Sequence, residues 1–150
     1  MKVIVQRSLN SSVSVDNKIV GKIAKGVVLL VGFTKGDTIK EIDYLAKKIV
    51  NLRIFDDENG VMNKSLLDIN GEILSISQFT LYANTSKGNR PSYIDALNSS
   101  EALPLYNLFN EKLKEYNIKV ETGIFGADME VSLINDGPVT IILDSKDIIS

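Results

Sequence analysis

Asn135-Asp136-Gly137-Pro138-Val139-Thr140 sets a Gly137-Pro138 pair between two strand-like runs, residues 129–134 and 139–143. Proline inside a strand removes a ladder donor, so a plain sheet gains nothing from Pro138. Two readings fit these residues. One is an ordinary turn. The other uses the X-Pro bond, where a cis peptide lies within about 0.5–1 kcal/mol of trans and would turn backbone carbonyls out of the sheet towards a ligand. On either reading the C-terminal end of the chain is strand, irregular backbone, strand.

The N-terminal end is also strand-rich. Residues 3–5 open a strand, residues 13–15 alternate cleanly, and Asp16-Asn17 is a turn signal before a partner strand at 19–23. Residues 27–33 are continuously apolar, which predicts a buried strand. Lys35-Gly36-Asp37 breaks it. Thr38-x-x-Glu41 is a capping box, followed at helical spacing by Ile39, Ile42, Leu45, Ala46, Ile49 and Leu52. Residues 53–55 are extended. The acidic turn at 56–60 has no ladder of ligands of EF-hand type and reads as solvated.

Ile69-Asn70-Gly71 turns into a strand predicted over 72–82, which carries Ser77-Gln78-Phe79-Thr80. Residues 83–98 are irregular. A second helix is predicted from about 100 to 116, with Ala102, Tyr106, Phe109, Leu113 and Tyr116 as its stripe and Pro104 in its first turn. Residues 119–122 and 129–134 are strands around Gly123-Ile124-Phe125-Gly126, and 139–143 closes the chain before a polar tail. Strands outnumber helices and cluster at both ends. The expected fold is α+β: a curled, mostly antiparallel, barrel-like sheet packed with two main helices, in one domain spanning 1–150.

Composition narrows the chemistry. There is no cysteine and no histidine. Thiolate nucleophiles, Ser-His-Asp and Cys-His hydrolysis, and zinc sites built on His and Cys are therefore impossible, and no metal site or cofactor is expected. Net charge is −2 and the isoelectric point about 5.2, which argues against a broad nucleic-acid surface but allows a local grip on one end of an RNA. Met1-Lys2 leads directly into a strand pattern, with no signal peptide expected and no apolar run near the ~20 residues of a membrane span. Cytoplasmic location is the expectation.

Three segments could carry chemistry. Ser77-Gln78-Phe79-Thr80 lies at a strand end, where amides leaving the ladder have the makings of an oxyanion hole. Ser77 or Thr80 as a nucleophile would need a base, and no histidine exists to serve. Gly88-Asn89-Arg90-Pro91-Ser92 presents an arginine in a glycine- and proline-framed loop, suited to a phosphate or carboxylate, although surface arginines are common. Gly123-Ile124-Phe125-Gly126-Ala127-Asp128-Met129 pairs close backbone approach with a ring able to stack on a base. Asp128, Glu130, Asp136 and Asp144 are too dispersed to pair as acid and base. Catalysis must then come from backbone groups, hydroxyls or the substrate itself.

Taken together, these segments resemble the D-aminoacyl-tRNA deacylases. The match runs through Val5-Gln6-Arg7, Ser12-Val13-Ser14-Val15, Arg53-Ile54-Phe55 and Met62-Asn63. It continues through Ser77-Gln78-Phe79-Thr80-Leu81, Arg90-Pro91-Ser92, residues 123–129 and residues 135–140. Tyr93 stands where the family usually has Phe, and Val61 where Lys is common. The resemblance implies a homodimer that hydrolyses the ester between a D-amino acid, or glycine, and the 3′ adenosine of tRNA. It implies a cis Gly137-Pro138 bond entering the partner's active site to exclude L side chains, with Arg7 holding that motif. It also implies amides near Gln78 and Phe79 for the oxyanion, and Phe125 and Met129 in an adenine pocket. The alternative is a non-catalytic module that binds a tRNA acceptor end or adenosine.

Overall fold

A computed structural model describes residues 1–148. Strands β1 (Lys2–Ser8), β2 (Ser11–Val15), β3 (Lys18–Ile23) and β4 (Gly26–Gly32) precede helix α1 (Ile39–Asn51). Two short strands, β5 (Phe55–Asp56) and β6 (Met62–Lys64), lead to β7 (Glu72–Ser77). Helix α2 (Ser99–Lys114), strands β8 (Val120–Thr122), β9 (Glu130–Ser132) and β10 (Asn135–Asp144), and the short helix α3 (Ser145–Ile148) complete the order. Ile149 and Ser150, the end of the expected polar tail, lie outside the described residues.

Five strands form one sheet in the order β10-β1-β4-β7-β8, and three form a second in the order β3-β2-β9. The β10-β1-β4 part is antiparallel, whereas β4-β7 and β7-β8 are parallel. The continuous apolar run of β4 is explained by burial on both faces. Val27, Leu29 and Val31 join the core beneath α1 and α2, while Val28 packs with Val13, Ile23, Leu74 and Ile76 between the two sheets. The layers are thus helices, large sheet, small sheet.

The barrel-like expectation stops short of closure. Strand β3 comes so near β8 that a Cβ on Gly21 would lie 2.6 Å from the Thr122 carbonyl oxygen, yet no ladder joins them. The small sheet also covers only part of the large one. One register row runs Ile142, Ile4, Leu30, Ile76 across four strands. Ile76 is 2% exposed at the covered end, and Ile142 is 70% exposed at the open edge.

Local signals account for most elements. Asp16 and Asn17 both adopt left-handed backbone (φ 49° and 63°), as a two-residue hairpin turn requires. Thr38 caps α1: its hydroxyl accepts from Lys40 N–H (3.2 Å), and Glu41 reaches back to the Thr38 amide (2.7 Å). Of the predicted α1 stripe, Ile39 is half exposed. Partial burial works to raise the Glu41 pKa from its ordinary 4.5, but the Thr38 amide and hydroxyl outweigh it and lower it. Thr38→Ala should destabilise the fold by about 1 kcal/mol at neutral pH. A depressed carboxylate stabilises above its unfolded pKa, so this penalty should shrink as pH falls past 4.5 and through the lowered value. Urea midpoints for wild type and variant at neutral and acid pH check both statements.

Three expectations need correction. The strand predicted over 72–82 ends at Ser77, and Phe79–Tyr82 is a 3₁₀ turn, because Gln78 (φ −146°, ψ 84°) directs the chain out of the ladder. Pro104 falls in the second turn of α2, not the first, because Asn98 caps that helix by accepting from Glu101 N–H and starts it at Ser99. Residues 135–140 do not separate two strands but belong to β10. Pro138 is tolerated there because β10 is an edge strand, and its register against β1 shifts between Gln6 and Ser8. The Gly137-Pro138 peptide bond is cis.

Candidate active site

A pocket of about 690 Å³ opens where β7 ends. Ser77, Gln78 and Phe79 form one wall, the segment from Phe125 to Met129 forms another, and Leu97 and Ala102 approach from the start of α2. Its volume suits a nucleoside-sized ligand. The lining includes one carboxylate, Asp128, and no cationic side chain.

The strand end supplies polar groups in a fixed arrangement. Gln78 N–H makes the last bond to β4, donating to the Val31 carbonyl (2.8 Å). It is therefore committed, contrary to the expectation that it faces a ligand. The next two amides open a helical turn, and such amides have no acceptor within it. Among the described residues no partner is recorded for the N–H of Phe79 or Thr80. The Gln78 side-chain amide donates to the Thr80 hydroxyl, fixing both side chains beside those amides.

The facing wall is braced from below. Tyr106 of α2 is 4% exposed and donates its phenol to the Ser75 carbonyl of β7 (2.7 Å). Burial pushes that phenol's pKa up, so it remains a donor. The Tyr106 ring meets the Phe125 ring at 5.7 Å, and so ties the pocket wall to the strand that carries Ser77. Gly123 leaves room for Met129 to fold over it: a Cβ there would lie 2.3 Å from the Met129 sulfur. Phe79 and Tyr93 meet edge-on at 5.0 Å.

Arg7, Gly137 and Pro138 lie elsewhere. Ser77 shares a register row with Val31, Val3 and Leu143, whereas Asn135 shares one with Ser8, Gly26 and Glu72. Three strand spacings and several residues of rise put the Gly-Pro pair on the order of 20 Å from Ser77. Both residues of the pair are exposed. Arg7, 7% exposed, anchors the segment: its Nε donates to the Asp136 carbonyl (3.1 Å) and its Nη1 to the Ile54 carbonyl (2.8 Å). Asp136 and Asp56 carboxylates lie 3.3 and 3.4 Å from the guanidinium. The Asn135 side chain bridges the Arg7 and Val139 carbonyls (2.9 and 3.0 Å), and Thr140 donates to it (3.1 Å).

The structure thus gathers Ser77, Gln78, Phe79, Phe125 and Met129 around one pocket. Thr80 is linked to it through Gln78, while Arg7, Gly137 and Pro138 form a separate cluster at the β10 edge of the large sheet. The sequence reading did not single out Tyr106 as a brace, Ile54 and Asp56 as partners of Arg7, or the loop leading into α2 as a wall. Tyr106 had a signal only as a core position, and the others depend on tertiary contacts.

Comparison with known proteins agrees over nearly the full length. A family model described as D-Tyr-tRNA(Tyr) deacylase matches residues 4–144. A D-aminoacyl-tRNA deacylase of Flavobacterium psychrophilum is 60% identical over 147 residues, covering 97% of this chain and 98% of that protein. One of Clostridium novyi is 58% identical over 146 residues, with 97% and 98% covered. A solved structure of a c-Myc DNA Unwinding Element Binding Protein superposes with a TM-score of 0.90 at 41% identity, covering 96% of this chain and 98% of that one. A probable eukaryotic D-amino acid tRNA deacylase shares the fold, with a TM-score of 0.81 at 18% identity and 95% and 97% covered.

Proposed function

We propose a reaction from one premise: the chain belongs to the D-Tyr-tRNA(Tyr) deacylase family. It is a hydrolase acting on D-aminoacyl-tRNA, the activity its curated relatives are named for. The observation that carries the site assignment is the pocket at the end of β7, flanked by two amides without recorded partners.

The terminal adenosine enters between Phe125 and Met129, which places the 3′ ester near the Phe79 and Thr80 amides. Water adds to the ester carbonyl carbon, and the carbonyl oxygen becomes an oxyanion that those amides stabilise. The bond to the 3′ oxygen then breaks, that oxygen takes a proton, and the amino acid leaves as a carboxylate. An aminoacyl ester is already activated, so oriented amides can supply much of the acceleration, at roughly 3–4 kcal/mol per donor removed. The neighbouring 2′-hydroxyl of the RNA assists, which accounts for a site without histidine.

Chirality is read by a second copy of the chain. The Gly137-Pro138 pair is too far from the pocket of its own protomer to serve it, and it is exposed on an edge strand. Inserted into the pocket of a second copy, its carbonyls meet the α-carbon and leave no room for an L side chain. The open apolar row ending at Ile142 suits such an association. Glycine has no side chain to reject, so glycyl-tRNA is also cleaved. The reaction belongs in the cytoplasm, with the charged tRNA pool.

The test is hydrolysis of D-tyrosyl-, L-tyrosyl- and glycyl-tRNA by purified protein in the presence of chelator, with sedimentation of the same sample. Loss of the D and glycyl esters by a dimer, with the L ester intact, supports the reading. No loss of any ester would favour the tRNA-end binding module, and an active monomer would exclude the shared site. Thr80→Ala should keep activity within about tenfold if the RNA hydroxyl assists. An acyl group trapped on Thr80 and seen by mass spectrometry would overturn that assignment.

A further inference from the structure

The segment from Asn84 to Ser92 has no part in the chemistry above. Asn84 and Ser92 exchange both backbone hydrogen bonds (2.8 and 2.9 Å), so the residues between them form a closed hairpin tip. Every residue from 83 to 95 is exposed. The tip carries Lys87 and Arg90, for which no ion pair is recorded among the described residues. None of the 19 acidic residues falls between Glu72 and Asp95. In a chain of net charge −2, that makes the hairpin a local island of positive charge.

An aromatic step connects this island to the pocket. Tyr93, next to the hairpin's closing pair, and Phe79 are 41% and 56% exposed, meet edge-on, and both line the pocket mouth. Large rings left half exposed at a pocket rim are stacking platforms for unpaired bases, since every base offers a π-face. The tip reaches at most about 14 Å beyond the closing pair, four residues of extended chain.

We propose that the hairpin and the aromatic pair form the track for the acceptor arm of the substrate RNA. The unpaired 3′ nucleotides stack on Tyr93 and Phe79, and Lys87 and Arg90 meet the phosphates of the stem behind them. The proposal rests on the reading above that the pocket takes the terminal adenosine of tRNA. It gives the arginine loop a role and places an RNA contact beside the pocket of a mildly acidic protein. Phosphate contacts of this kind are independent of sequence, so the track serves many tRNAs alike.

The experiment measures the affinity of uncharged tRNA by fluorescence anisotropy between 50 and 200 mM salt, for wild type, Lys87→Gln/Arg90→Gln, Tyr93→Ala and Tyr93→Phe. D-Tyrosyl-tRNA hydrolysis is followed on the same samples. The double variant should bind about tenfold more weakly, with a slope of log Kd against log salt reduced by roughly 1–2. Tyr93→Ala should weaken binding roughly tenfold with its salt slope unchanged, and Tyr93→Phe should match wild type. Wild-type affinity and slope in the double variant would overturn the track while leaving the reaction intact. Tighter wild-type binding to a DNA hairpin of the same sequence would also overturn it. Weakened binding in the variants together with no ester turnover by wild type would support the track and sink the deacylase reading. No tRNA binding by wild type would sink both.

Discussion

Gly137→Ala should collapse the discrimination between D- and L-tyrosyl-tRNA, by about 100-fold or more in the ratio of kcat/KM values. Gly137 has φ +123°, a region that L side chains rarely adopt. The new Cβ would lie 2.8 Å from Val139 Cγ2, 3.0 Å from Val139 N and 3.0 Å from an Arg7 guanidinium nitrogen. Two of those atoms belong to the rigid edge of β10 or its side chain, and the third is the Nη2 of a guanidinium that is anchored through its Nε and Nη1 to the Asp136 and Ile54 carbonyls. The segment has to move, and the carbonyls proposed to face the α-carbon move with it. A displacement near 1 Å is enough to cost about 10²-fold at a reacting centre. Steady-state kinetics on both esters read the effect, with the wild-type ratio as reference. A variant that keeps that ratio would show that chirality is sensed elsewhere.

Arg7→Lys should move the same ratio in the same direction, but less. It keeps the charge and loses the planar fork that reaches two carbonyls at once. Arg7→Met should also lower stability by roughly 1–3 kcal/mol, because the buried Ile54 carbonyl is left without its donor. Separate readouts therefore distinguish the positioning of the Gly-Pro pair from general loosening.

How much of this was legible in the sequence varied with the range of the interaction. The hairpin at Asp16-Asn17, the capping box at Thr38 and the buried strand β4 were readable because their causes lie within a few residues. The end of β7 was not, because β-propensity continues through Phe79, Thr80, Leu81 and Tyr82. The turn that follows depends on Gly32 of the neighbouring strand: a Cβ there would lie 3.0 Å from the Gln78 carbonyl oxygen and 3.3 Å from Leu81 Cβ, so its absence lets the turn settle directly on β4. Sequence periodicity carries no information about such a contact. The start of α2 lies one residue before the expected position, at Ser99, and Pro104 falls past the first turn of about 3.6 residues from either start.

The site was legible in its parts and not in its assembly. The residues of the pocket wall and of the Gly-Pro segment were recognisable as motifs. Their separation within one protomer follows from register, which the linear order of segments does not reveal. The commitment of Gln78 N–H to Val31 likewise shifts the free amides one residue on, to Phe79 and Thr80. That one-residue shift makes the oxyanion assignment testable by removing a single backbone N–H donor.

Phe79→Pro should lower kcat for D-tyrosyl-tRNA by about 10²–10³-fold, the usual consequence of losing one oxyanion donor. Proline is compatible with this position. Phe79 is the first residue of a helical turn, where a missing N–H leaves no intrahelical bond unmade, and Gln78 before it (φ −146°, ψ 84°) already lies outside the α region that a following proline disfavours. The same change at Thr80 would force Phe79 out of its helical backbone, so it would not isolate the amide. Phe79→Ala is the necessary companion, since it removes the same ring and keeps the N–H. Loss of the ring should act on binding, through the mouth it forms with Tyr93, and so raise KM in both variants. Loss of the amide should appear only in the proline variant and only in kcat. The stability of the two variants should agree to within about 1 kcal/mol, because Phe79 is 56% exposed and its N–H has no recorded partner to lose. Equal kcat values for Phe79→Pro and Phe79→Ala would remove the Phe79 amide from the mechanism and leave Thr80 N–H, with the substrate's own hydroxyl, to carry the oxyanion.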